Sequence, residues 1–187
     1  MSQSSISDGL KDSTEEQILL RSAALWAVDF VEQALPIFED RNPGNTRPRE
    51  AIQAGREYAE GKKRDKNLRV VALASFKVGK EVDEPSKHVT QAATAIAAIA
   101  YTHTDLQTGV QGVRQARHIL GPVVHSALAL EMAAGGKSEI GNEVVSCAIK
   151  SAPLDVRYIL KHMPPQPRGS NRLSILFFDL DSGLRSE

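Results

Sequence analysis

The sequence predicts an all-α protein: a single compact multi-helix domain of about seven to nine helices with an alanine-rich core. Three observations carry that prediction. Apolar residues recur at helical spacing along most of the chain, and no stretch alternates as a strand would. Proline and glycine sit where helices start and stop. Aromatic residues are only 5% of the 187 residues, so the core must be built from Ala, Leu, Ile and Val. A chain of this length buries roughly 70% of its unfolded surface and needs no covalent staple.

Residues 1 to 12 are Ser-rich and read as a disordered tail, leaving 13–187 as one helical domain. The STEE stretch has capping-box spacing, with Ser13 as cap and Glu16 reaching back to it. The helix it opens runs to about Glu39. Leu19, Ala23, Trp26, Phe30, Ala34 and Ile37 fall on one side of it, and Arg21, Ser22, Asp29, Glu32, Gln33 and Glu39 on the other. Pro36 is expected to kink or break its last turn. After the RNPGN loop, Arg47 reads as N-cap and Pro48 as the first helical residue, with Gly61 as the stop. Ala51, Ile52, Gly55, Tyr58 and Ala59 form the apolar stripe of that second helix.

Residues 68 to 80 read as a third helix, because Val70, Leu73, Ala74 and Lys77 fit helical spacing better than alternation. VDEP opens a fourth, with Pro85 at its first position. In QAATAIAAIA, six of ten residues are alanine, which permits close helix–helix approach. Thr104 reads as a cap with Asp105 in the first turn of the long stretch from 105 to 134, interrupted at Gly121-Pro122. Ser138 caps a helix to about Lys150, 153 to 162 form a short one, and RLSILFFDLDSGLR follows a proline-rich loop as the last.

Charge and cysteine content narrow the function. The 23 Lys and Arg balance 23 Asp and Glu, which argues against a nucleic-acid binder. Residues 1 to 46 hold three basic and eight acidic residues, net −5; residues 47 to 69 hold eight basic and four acidic, net +4. Two helices that complement each other explain that asymmetry. The N-terminus lacks the apolar core of a secretory signal. QAATAIAAIAY is about half the length of a membrane span, so no membrane partner is expected. The single Cys147 allows no internal disulfide and is expected to be a small buried thiol, consistent with a cytoplasmic protein.

Catalytic and metal motifs are sparse. None of the five histidines makes H-x-x-x-H, H-E-x-x-H or Glu-x-x-His, so neither metal nor cofactor is expected. GGKS lacks the first glycine of a phosphate loop, since Glu131 stands there, and no strand precedes it. There is no G-x-S-x-G. The sharpest polar cluster is YTHTD at 101 to 105, which puts His103 beside Asp105 at a helix corner, as a general base would need.

LWAVDFVEQALPIFED, a short Pro-Gly loop and RPREAIQAGREYAEG together resemble the N-terminal half of the immunity-five-like domains linked to bacterial polymorphic toxin systems, with relatives in fungi. The segment AATAIAAIAYTHTD is similar to an Ala-rich stretch there that ends A-T-A-H. The tail MPPQPRGSNRLSILFFDLDSGLR is similar to family tails with Y-P-P-x-P-x-G-x-S-R and a final D-x-x-L-R. The resemblance spans roughly residues 16 to 185. Tyr101 departs from it, standing where a small residue or threonine precedes the family histidine. QTGVQGVRQARHILGPVVH is also poorer in alanine and histidine than its counterpart.

The resemblance implies a helical, non-enzymatic protein that binds and neutralises a cognate toxin. No catalytic residues carry over. Arg47, Arg49 and Arg56 on the second helix, and His103 with Asp105, are the candidate partner-binding residues. A helical scaffold unrelated to toxins, or a hydrolase using His103 and Asp105, are the alternatives.

Overall fold

The structure is a computed structural model that describes residues 14–186. The tail read at 1 to 12 and the Ser13 cap lie outside the described residues. Eight α-helices occur within the described span, and no strand. They are α1 (Glu15–Arg41), α2 (Arg47–Ala59), α3 (Lys66–Val78), α4 (Glu84–Ala98), α5 (Gly109–Ala133), α6 (Ser138–Ser151), α7 (Leu154–Lys161) and α8 (Arg172–Ser186). A single 3-10 turn, Ile99–Tyr101, follows α4.

The most extensive helix contact is α4 against α5. Its residues explain why. Ala92, Ala93, Ile96 and Ala97 of α4 and Ala116, Ile119, Leu120, Val123 and Ala127 of α5 are all buried. Small side chains let the backbones approach: a Cβ added to Gly121 would lie 3.3 Å from the Ala95 Cβ. The same seam holds a histidine pair. His88 and His125 stack with ring centroids 5.2 Å apart, and their Nδ1 atoms are 3.0 Å apart, one donating and one accepting. Phe177 of α8 packs edge-on against His125.

α1 lies against this pair and also against α2 and α7. Its buried residues run through Ala23, Ala24, Ala27, Val28, Val31, Ala34, Leu35 and Phe38, so it is covered on more than one face. The Trp26 indole N–H donates to the Ala148 carbonyl at 3.1 Å and ties α1 to α6. α2 crosses α4 at Gly55, where an added Cβ would meet Ile96 at 3.1–3.3 Å. α3 packs mainly on α2 and α4.

The second half is stitched by polar groups. Buried Arg157 of α7 donates to the Leu184 and Ile149 carbonyls near the ends of α8 and α6. The proline-rich loop is pinned at Gln166, which is 2% exposed. Its amide N–H donates to Asp181, its side-chain NH2 donates to the Val113 carbonyl, and its side-chain oxygen accepts from Arg117. Arg172 grips the buried Glu131 with two nitrogens.

Several local expectations change. The N-cap of α1 is Thr14, whose side chain accepts from the Gln17 N–H. α1 continues through Pro36 to Arg41, and α5 continues through Pro122 to Ala133. Packing around Gly121 and Pro122, both buried, outweighs one missing N–H. α5 starts only at Gly109, with Thr108 at the N-cap, so Thr104 is not its cap. The N-cap of α2 is Thr46 and that of α6 is Lys137, one residue before Arg47 and Ser138 respectively. Cys147 is exposed, because Gly141, Val145 and Ala148 define the buried face of α6.

Two predictions follow from this packing. Gly55→Ala should destabilise the fold by about 1–3 kcal/mol, since the new methyl would sit 3.1–3.3 Å from Ile96, which must give way; urea denaturation against wild type measures it. Burial pushes His88, His118 and His125 below the usual imidazole range, His125 to about 3. These bases are neutral when folded and charge more readily when unfolded. Their contribution is therefore fully present above about pH 6.5 and is lost progressively as pH falls below it. Between about pH 6.5 and pH 5 the wild type should lose more stability than the double variant His88→Leu/His125→Leu, which removes both partners together.

Candidate functional site

A cleft of about 470 Å3 opens at the N-terminal end of α1. Glu16 and Leu19 of α1 form one wall. His103, Thr104, Asp105 and Gln107 come from the turn before α5, and Tyr158, Ile159 and His162 from α7 and its end. Sequence separation hides this meeting: Thr104 donates its hydroxyl to Glu16 Oε1 at 2.6 Å across 88 residues. The turn is held further by Tyr101, whose hydroxyl donates to the Asp65 carbonyl, and by the His103 N–H, which donates to Gln115.

The chemistry of the cleft is that of acceptors. Glu16 uses one oxygen for Thr104, and its other oxygen has no partner among the described residues. The Asp105 side chain is exposed and likewise unpartnered among them. His162 Nδ1 lies 2.8 Å from the Tyr158 carbonyl and must donate to it, which leaves Nε2 of the neutral ring as an acceptor. The Tyr158 and His162 rings pack at 4.3 Å between centroids. Tyr158 is half exposed and presents an aromatic body beside these acceptors.

His103 and Asp105 thus come to one site, as their spacing suggests. No hydrogen bond joins their side chains; the His103 backbone N–H donates to Gln115 instead. Glu16, Tyr158 and His162 complete the cleft and were not legible as site residues. Only the helix packing brings α7 to the start of α1, and no local motif marks that meeting.

The arginines of α2 lie along the α1–α2 edge. Arg49 pairs with Glu39 through two nitrogens at 2.6 and 2.7 Å. Arg56 reaches Glu32 and Asp29, both at 2.8 Å, and hydrogen bonds to them, Glu32 foremost, raise its pKa. Arg47 is held by the Asn45 side chain. Part of the charge asymmetry of the sequence is therefore internal complementarity between α1 and α2, with Arg47 alone of the three free of a carboxylate among the described residues. Elsewhere, no group of three or more His, Cys, Asp or Glu is placed to hold a metal ion among the described residues.

Arg56→Ala should cost only about 1 kcal/mol, because the network is exposed. Denaturation at low and high salt checks this: added salt should shrink the difference between variant and wild type.

No curated protein and no solved structure matches the chain. A sequence model of the family described as "Imm-5 like putative immunity protein" matches residues 13–108. The matched segment is 108 − 13 + 1 = 96 residues, just over half of the 187. It runs from the start of α1 through α4 and the turn carrying His103 and Asp105, and stops before α5; the proline-rich tail lies beyond it. On that match, the chain belongs to the Imm-5 like family of immunity proteins.

Proposed function

We propose that this chain is a non-enzymatic binding protein of immunity type, which acts in the cytoplasm and neutralises a cognate protein toxin by covering its active surface. Family membership supports the class of function. No described helix is long and apolar enough to cross a membrane.

The observation that carries the reading is the acceptor-rich cleft. Glu16 and Asp105 offer carboxylate lone pairs, His162 keeps Nε2 free of the bond that Nδ1 makes, and Tyr158 offers an aromatic face. An Arg or Lys side chain of a partner satisfies both, through charge-assisted hydrogen bonds and a cation–π contact. Interfaces are commonly anchored by such a side chain seated in a pocket. Arg47, Arg49 and Arg56 would then lie farther along α1–α2 as a charged rim, contributing to steering more than to affinity.

The test is co-expression with the product of the adjacent toxin-type gene. The chain should rescue growth and co-purify with that product in a salt-sensitive complex. Asp105→Arg, and Tyr158→Ala independently, should each weaken the complex about tenfold or more while leaving the thermal melt nearly unchanged. His103→Ala should leave neutralisation in place if no acid–base step is involved. Failure both to protect the cell and to form a complex with that product would refute the proposal, and unchanged affinity in both cleft variants would remove the cleft from it.

A further inference from the structure

α3 is apolar on two faces. Leu68, Val71 and Val78, with Ser75, face inward and are buried. Val70, Leu73 and Phe76 stand on the opposite side and are 63%, 53% and 46% exposed. They follow i, i+3, i+6 spacing, so they form one ridge. A helix with apolar residues all round is normally covered all round. Within this fold α3 packs mainly on α2 and α4, and the ridge is left to solvent.

The ridge has a definite electrostatic character. α3 carries Lys66, Arg69 and Lys77 and no acidic residue. Stepping 100° per residue, these three and Lys80 interleave with the exposed apolar side chains on one face. None of the four is paired with a carboxylate among the described residues, although the acidic α1 neutralises two of the three arginines of α2. Lys80 lies over the Phe76 ring, and Arg69 over Tyr101. Beside Phe76, a groove of about 390 Å3 opens toward the start of α4, lined by Lys80, Val82 and Gln91 and by Glu84 and Lys87, which pair with each other.

We infer that the solvent face of α3 is a docking surface for an acidic amphipathic helix of a protein partner. Apolar residues of that helix cover Val70, Leu73 and Phe76, and its carboxylates meet Lys66, Arg69, Lys77 and Lys80. The groove favours a protein over an anionic lipid surface, since a socket beside Phe76 takes a projecting side chain and a flat bilayer leaves it empty. Tyr101 links this face to the cleft: Arg69 stacks on its ring, and His103 follows two residues later. The inference goes beyond the cleft and rests only on the reading of the chain as a binder of proteins.

The test is a titration of the full 15N-labelled chain, followed by amide NMR. The probe is a synthetic helical peptide of about 18 residues with Leu along one face and Glu on the others. Two comparators are the same peptide with Lys in place of Glu, and mixed phosphatidylserine–phosphatidylcholine vesicles. The acidic peptide should shift the amides of Val70, Leu73, Phe76 and Lys80, with affinity falling as salt rises. Leu73→Asp, at an exposed position that leaves the melt unchanged, should lose about tenfold or more in affinity.

Equal binding of the Lys peptide, vesicle binding without acidic-peptide binding, or no shift on α3 would each overturn the inference. The outcome is separable from neutralisation: the peptide can dock on α3 when the adjacent-gene toxin is not bound, and the cleft variants can fail when α3 does not respond.

Discussion

Close approach of α4 and α5 is the constraint from which the rest of the fold takes its place. Alanine on α4 and Gly121 on α5 bring two backbones together over most of the length of α4. Larger residues complete the seam: Ile96, Ile119, Leu120 and Val123 are all buried, and Ile96 also meets α2 at Gly55. The seam is tight enough to keep α5 helical through Pro122, whose missing N–H would otherwise favour a break. It also encloses His88 and His125, which satisfy each other across the interface.

Charge on this protein does two kinds of work, and position decides which. On α1 and α2, acids and bases face each other, so Arg49 and Arg56 spend their hydrogen bonds inside the fold. In the cleft and on α3, charges of one sign gather without a partner among the described residues: carboxylates at Glu16 and Asp105, cations at Lys66, Arg69, Lys77 and Lys80. Formal neutrality of the whole chain conceals both. In both places the charge lies beside exposed aromatic or aliphatic side chains, Tyr158 in the cleft and Val70, Leu73 and Phe76 on α3.

The two regions are also joined through the backbone. Tyr101 donates to the Asp65 carbonyl at the start of α3 and carries Arg64 and Arg69 on its ring. The turn it anchors then supplies His103, Thr104 and Asp105 to the cleft. Tyr101 thus ties α3 to the cleft turn. A smaller residue there would keep neither the hydroxyl bond nor the ring stacking.

By itself the sequence determined the helical class, most helix boundaries within a few residues, the family, and the nearness of His103 to Asp105. These are local properties: periodicity, caps and short motifs act over a turn or two of chain. Tertiary structure decided everything that depends on which helix faces which. Val70 and Leu73 have the spacing of a core stripe, yet Leu68, Val71 and Val78 are the residues turned inward. Periodicity identifies an apolar face but cannot choose between two on the same helix. Likewise Cys147 is apolar enough for a core and lies outside it, and Glu16 accepts from Thr104, 88 residues away. Tyr158 and His162 carried no signal at all, because the cleft exists only once α7 has packed against the start of α1.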